Sequence, residues 1–241
     1  MIDLKGQVAV VTGASSGIGK AIALSLAAQG TKLILVGREL KKLEEVTERA
    51  KEAAEFAKRY RLDLMLEGEI DEFAAFLKQE VGRVDILVHS AGGISIGNLD
   101  RAPVEKMDWH YKINVRAPYV LTQLLLPMMR PCQGQIVFIN SSVGLKARAS
   151  VGQYAATKHA LRGIADSLRE EVNAEGIRVL SMFLGRTASP MQAGVYKAEG
   201  KAYFPEKLMQ PEDIAMVVVN ALQLPKTAEV TDIFVRPMKK T

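Results

Sequence analysis

The sequence predicts an α/β protein: a single-domain, doubly wound Rossmann-type parallel sheet of about seven strands flanked by helices on both faces. Three observations predict it. Short, nearly continuous apolar runs alternate with amphipathic stretches along the chain, as strands buried on both faces and their crossover helices require. The first such run leads through a glycine cluster straight into a helical pattern. No linker, low-complexity tract or repeat divides the 241 residues, a length that one α/β core routinely reaches.

Residues 7–11 (QVAVV) and 32–36 (KLILV) are β-branched strands, and 17–29 between them has helical spacing with small residues. Residues 39–60 place Leu43, Val46, Ala50, Ala54 and Ala57 on one face among many charges, which predicts one amphipathic helix with a wet outer side. A short strand around 62–64, a helix over 70–81 and the strand 85–89 (DILVH) follow. A long helix runs over 104–129, with Pro118 as a candidate bend. Then come a strand at 135–140 (QIVFIN), a helix at 153–175, a strand at 177–183 (IRVLSMF), a helix at 211–222 opening on proline, and a last strand at 229–235. Right-handed crossovers place ligands beyond the carboxyl ends of such strands, so the informative residues follow them directly.

Composition narrows the function classes. Apolar residues are 48% and charged residues 24%, a globular balance. No run approaches the roughly 18–20 apolar residues of a membrane span, and the start lacks a secretory pattern, so the expectation is a cytoplasmic protein without membrane contact. The net charge of +5 is scattered and aromatics are only 6%, which argues against a nucleic-acid partner. The lone Cys132 forms no internal disulfide and has nothing nearby in sequence to make it a nucleophile. His110 and His159 lack a third partner at ligand spacing, so no metal is expected.

After the first strand comes Thr12-Gly13-Ala14-Ser15-Ser16-Gly17-Ile18-Gly19, running into a helix. Glycines let backbone approach a pyrophosphate, and the helix N-terminus supplies unpaired N–H groups and partial positive charge. Tight turns also need glycine; it is the strand before and the helix after that point to a dinucleotide. The second strand ends Val36-Gly37-Arg38. Gly37 offers no carboxylate for a ribose 2′-hydroxyl, whereas Arg38 offers a planar cationic fork suited to a 2′-phosphate, with the Ser15 and Ser16 hydroxyls nearby. The expected cofactor is NADP(H). An exposed arginine opening a solvated helix is the plain alternative.

Tyr154 and Lys158 are four apart on the helix 153–175, hence on one face. A phenol of reference pKa near 10 is a poor base, and a neighbouring ammonium favours its ionised form. That pair suits proton transfer to or from an alcohol oxygen while hydride moves at the adjacent carbon, and Lys158 can also reach ribose hydroxyls.

With T-G-x-x-x-G-x-G at Thr12–Gly19, Y-x-x-x-K at Tyr154–Lys158, and Ser141 thirteen residues before the tyrosine in S-x-x-G (Ser141–Gly144), the chain resembles the short-chain dehydrogenase/reductase superfamily over nearly its full length. The resemblance implies that Tyr154 is the general acid in reduction and base in oxidation. It also implies that Ser141 holds the substrate oxygen, that Lys158 positions ribose, and that Asn114 holds a water extending the proton path. Asp63 falls at the family's adenine-contacting acid. The family's N-N-A-G reads His89-Ser90-Ala91-Gly92 here, so Ser90, Ala91 and Gly92 present backbone to the cofactor and His89 is read as a structural histidine. The family's P-G reads Leu184-Gly185, with Gly185 turning beside the nicotinamide and Thr187 set to meet its carboxamide.

The segment 187–208 is where the family covers its substrate; it carries Met191, Val195, Tyr196, Tyr203 and Phe204, with Gly194 and Gly200 as hinges. Ile94, Ile96, Leu145 and Val151 are candidate walls, so the expected partner is a small, largely apolar ketone or alcohol, although Arg148 and Arg186 leave room for an acidic one. Family members form homodimers or homotetramers. The leading expectation is an NADPH-dependent carbonyl reductase/alcohol dehydrogenase. A catalytically idle NADP(H)-binding sensor on the same fold and a nucleotide-sugar epimerase are the alternatives.

Overall fold

The computed structural model describes residues 1–239. Seven parallel strands form one sheet: β1 (Val8–Thr12), β2 (Lys32–Gly37), β3 (Ala57–Arg61), β4 (Ile86–His89), β5 (Gln135–Ser141), β6 (Arg178–Leu184) and β7 (Asp232–Val235). Their order is β3-β2-β1-β4-β5-β6-β7, which reverses between β1 and β4 and opens a crevice there beyond the carboxyl ends. The helices are α1 (Gly17–Ala27), α2 (Leu40–Lys51), α3 (Glu67–Glu80), α4 (Val104–Tyr111), α5 (Ala117–Met129), α6 (Gly152–Val172), α7 (Pro190–Ala198) and α8 (Pro211–Leu222). Strand side chains alternate between two cores. Ala9, Val11, Leu33 and Leu35 face α1, α2 and α8, whereas Val10, Ile34 and Val36 face α3, α5 and α6. Among the described residues no helix is long and apolar enough to cross a membrane.

Three regions differ from the sequence expectation. The helix over 39–60 ends at Lys51, and residues 57–61 are the edge strand β3 instead of 62–64. Ala57 is buried because it pairs with Leu33 in the sheet, not because it continues a helical face. The strand reads Ala-Lys-Arg-Tyr-Arg, and only an edge tolerates so many charges, so it carries no apolar run to betray it. The helix over 104–129 is broken by a π-helical turn at Lys112–Arg116. Pro118 lies at the start of α5 and has no N–H, so the Asn114 carbonyl lacks its ordinary i+4 donor. The last strand also starts later than 229, at Asp232; Glu229 instead accepts a hydrogen bond from the Val179 N–H at 2.9 Å.

The amino end of the sheet is pinned by a buried carboxylate. Asp85 accepts from the Val8 N–H at 2.8 Å and from Arg83 Nε at 2.9 Å. Asp85→Ala leaves the Val8 donor buried without an acceptor, and we expect it to cost about 1–3 kcal/mol. A urea unfolding midpoint equal to that of the parent chain would contradict this.

Candidate active site

The turn after β1 is built for close backbone approach. Gly13 adopts φ +67°, and a Cβ there would lie 2.8 Å from the Ala91 nitrogen. The Thr12 hydroxyl donates to the Val88 carbonyl at 3.2 Å and accepts from the Ser90 and Ala91 N–H groups at 3.1 Å each. One side chain thus ties the ends of β1 and β4 together at the crevice. Ser15, Ser16, Gly17, Ile18 and Gly19 lead into α1, whose first turn holds no acidic residue and whose cap residue Ser16 makes no side-chain capping bond. Its leading N–H groups therefore face the crevice without a competing carboxylate. A Cβ on Gly19 would collide with the Gly13 carbonyl, so the turn and helix close tightly on each other.

At the end of β2, a Cβ on Gly37 would meet Leu43 at 2.8 Å and the Ser15 hydroxyl at 3.4 Å. Arg38, next in sequence, is exposed and joins no ion pair among the described residues. Asp63 is half-buried; its carboxylate accepts from the Met65 N–H at 3.1 Å and shapes the turn after β3. Ser90, Ala91 and Gly92 line the floor, half-buried, and a Cβ on Gly92 would lie 2.9 Å from Asn114 Oδ1. His89 lies beneath them, stacked on Phe138 with ring centroids 4.8 Å apart and its Nε2 2.8 Å from the Thr122 hydroxyl. Burial pushes its pKa down to about 3, so it is a neutral packing group.

Ser141, Tyr154 and Lys158 come together above the carboxyl end of β5. Ser141 ends that strand, and its Oγ accepts from the Val143 N–H at 3.3 Å. Asn140 Nδ2 donates to the Lys158 carbonyl at 3.1 Å, and Gly144 lets α6 press closer still: a Cβ there would lie 2.9 Å from that same oxygen. The buried Lys158 ammonium donates to the Ile139 carbonyl at 2.9 Å and lies 5.7 Å from the centre of the Tyr154 ring. Burial lowers its pKa to about 8. Burial also raises Tyr154 to about 12, against the pull of the Ser141 hydroxyl. Desolvation therefore outweighs the ionising influence that spacing alone assigns to the ammonium, and the phenol is a held proton.

Asn114 sits in the π-helical turn, buried, and its amide bridges two elements. Nδ2 donates to the Gly93 carbonyl at 2.9 Å and the Thr157 hydroxyl at 3.2 Å, while Oδ1 accepts from the Gly93 N–H at 2.9 Å. It clamps the loop after β4 to α6 immediately beside Tyr154. His110, one turn earlier, was readable only as a poor metal ligand. It is buried, accepts from the Ser95 N–H at 2.9 Å, and its ring centre is 6.1 Å from that of Tyr154. The i, i+4 relation to Asn114 was the available signal.

Beyond β6, Gly185 packs against the tail: a Cβ would lie 2.8 Å from Pro237. The Thr187 hydroxyl is buried and donates to the Gly185 carbonyl at 3.2 Å. Ser189, not singled out from sequence, is the residue that faces the glycine loop; its Cβ would be 3.2 Å from a Cβ on Gly17. Its placement before Pro190 as the N-cap of α7, with Oγ accepting from the Gln192 N–H at 3.1 Å, was the signal to find it. The segment after it forms its own small cluster of Ala188, Tyr196 and Leu208 with Tyr203. Arg186 braces it, its Nη2 donating to both Glu199 carboxylate oxygens at 2.6 and 2.9 Å and its guanidinium lying 4.6 Å from the Tyr196 ring centre.

The fold and this crevice define a Rossmann-type α/β protein with a dinucleotide-shaped cradle beside a Ser-Tyr-Lys cluster. The family profile described as short chain dehydrogenase matches residues 7–200. An uncharacterised oxidoreductase of Staphylococcus saprophyticus is 32% identical over 240 residues, covering 99% of this chain and 100% of that protein. Among solved structures, a metagenomic short-chain oxidoreductase in complex with NADP is 32% identical, with TM-score 0.85 and 99% and 100% of the two chains covered. L-Sorbose reductase of Gluconobacter frateurii, complexed with NADPH and L-sorbose, is 27% identical, with TM-score 0.86 and 97% of each chain covered. Alcohol dehydrogenase of Thermococcus sibiricus, complexed with 5-hydroxy-NADP, is 26% identical, with TM-score 0.88 and 98% and 99% covered. The chain belongs to the short-chain dehydrogenase family and is an oxidoreductase of that family.

Proposed function

We propose that the protein is an NADPH-dependent carbonyl reductase, reversible as an alcohol dehydrogenase. The observation that carries the reading is the Ser141–Tyr154–Lys158 cluster, in which Ser141 and Tyr154 are half-buried over the buried Lys158 and the phenol stays protonated well past neutral pH. The cradle fits the cofactor: Gly13 and Gly19 leave room that a Cβ would fill, the α1 N-terminus carries no acid, and Arg38, without an ion pair among the described residues, follows β2 directly and would take a 2′-phosphate. Relatives of the same fold bound to NADP or NADPH support this choice. When bound, NADPH supplies the hydride. Ser141 and Tyr154 donate to a carbonyl oxygen as it gains charge, and Tyr154 releases its proton to that oxygen. Lys158 holds the ribose hydroxyls, and the Asn114 carbonyl, deprived of its i+4 donor by Pro118, holds a water that returns the proton. The backbone of Ser90, Ala91, Gly92, Gly185 and Thr187, the hydroxyls of Ser15, Ser16 and Ser189, and Asp63 complete the cofactor contacts.

The half-buried Ile94, Ile96, Leu145 and Val151 beside the cluster favour a largely apolar ketone, covered by the segment 187–208. Exposed Val104, Met107, Tyr111 and Tyr119 along α4 and α5 support a homodimer or homotetramer. NADPH consumption with a panel of ketones tests the reaction; tight NADPH binding with no turnover on any of them would make the protein a sensor instead. Arg38→Ala should weaken NADPH binding roughly 10- to 100-fold and leave NADH binding unchanged, the loss of one charge-assisted phosphate contact. Equal affinity of the parent chain for both cofactors would remove that assignment.

A further inference from the structure

The register of the sheet edge puts a second arginine beside the first. In the parallel β2–β3 ladder Gly37 is paired with Arg61, and the Leu62 N–H donates to the Gly37 carbonyl at 3.1 Å. Residues paired in parallel register send their side chains to the same face of the sheet. At Gly37 that face is the one carrying the Ser15 hydroxyl, 3.4 Å from where its Cβ would stand. Two neighbours confirm the direction. Arg59, two residues earlier in the same row, reaches α2 and pairs with Glu44 at 2.9 Å. Tyr60, between them, turns the other way and packs on Phe73 with ring centroids 4.7 Å apart.

Arg61 is exposed and, among the described residues, joins no ion pair. On α2, Glu44 is taken by Arg59, and Glu39 before it by Lys42 at 2.7 Å, while the Asp63 carboxylate accepts from the Met65 N–H. Two guanidinium groups without an ion pair among the described residues thus stand at the carboxyl ends of adjacent strands, Arg38 directly after β2 and Arg61 ending β3, with Arg61 on the face that Gly37 shares with Ser15. Gly37 between them has no side chain to fill the gap. We propose that Arg61 is a second specificity-determining residue for the 2′-phosphate of NADP(H), which is held between Arg61 and Arg38. The inference rests on the reading of this crevice as an NADPH site. It follows from strand pairing, not from motif: Arg61 lies twenty-three residues beyond Arg38, just past the stretch 39–60 whose spacing looks helical.

The test is equilibrium binding, with no catalysis required. Dissociation constants for NADPH, NADH and adenosine 2′,5′-bisphosphate are measured by nucleotide fluorescence or calorimetry on the parent chain, Arg61→Gln, Arg38→Ala and the double variant. Arg61→Gln should weaken NADPH and the bisphosphate roughly tenfold, leave NADH unchanged, and flatten the salt dependence of NADPH binding. Unchanged NADPH affinity in Arg61→Gln, with Arg38→Ala still impaired, would overturn the role of Arg61 and leave the cofactor reading intact. Equal weakening of NADPH and NADH would overturn it as well, by making Arg61 a structural residue. A parent chain that does not favour NADPH over NADH defeats both. The side chain is exposed, so an unaltered thermal midpoint should confirm that the variant folds.

Discussion

Tyr154→Phe should reduce ketone turnover by about 10²–10⁴-fold, the contribution of a positioned proton donor, while NADPH affinity stays that of the parent chain. The substitution removes one oxygen and keeps the ring that packs beside His110 and under the Lys158 ammonium. Because burial pushes the phenol up to about 12, the parent enzyme carries its proton across the whole neutral range. On the proposed reading, reduction would have its acid ready, whereas alcohol oxidation would need an ionised phenol and should gain rate as pH rises. The measurement is NADPH disappearance under saturating cofactor, paired with a fluorescence titration of NADPH. Turnover surviving in the variant would take the proton-donor role away from Tyr154.

Lys158→Met should separate activity from stability. Loss of the ammonium should lower turnover by about 10²–10³-fold, as removal of one preorganised donor does elsewhere. The same change should make the protein more stable at neutral pH. The folded chain holds this amine with a pKa near 8, against 10.5 for an ordinary lysine. Keeping it charged in the fold at neutral pH costs about 3 kcal/mol. The Ile139 carbonyl loses its donor in the variant, which returns part of that, so a net gain of about 1–2 kcal/mol is expected. The pH profile supplies the sign. Between pH 8 and 10 the unfolded chain binds the proton and the folded chain does not, so stability of the parent climbs with pH across that window. The methionine variant should lack the climb, and denaturant midpoints measured across that window decide it. A parallel slope in both proteins would contradict the buried-amine account.

Much of the sheet was legible because its central strands are buried on both faces and read as unbroken apolar runs. β3 was not, since an edge strand can consist of lysine and arginine; the helical spacing of Ala54 and Ala57 then concealed the turn before it. The break at Lys112–Arg116 was half legible. Pro118 announced a disturbance, but its effect falls on the carbonyl four residues back, at Asn114, and not on its own position. In the crevice, residues fixed by local spacing were readable: the glycines, Tyr154 and Lys158, and Ser141 before them. Those that depend on long-range packing were not. Ser189 meets Gly17 only because α7 folds back over the loop, and His110 meets Tyr154 only because α4 crosses α6. The protonation of the phenol depends on packing in the same way, since burial raises its pKa. Sequence shows the neighbouring charge, whereas only packing shows how little water reaches the pair.

The brace between Arg186 and Glu199 has a mechanical meaning. The chain following β6 has its own apolar nucleus in Tyr196, Leu208 and Tyr203, separate from the two cores beneath it. Such a piece has the packing to keep its shape as one unit. A molecule gripped under it would need no disorder-to-order transition, so its grip would be set by fit and not by the entropy of freezing a loose strap.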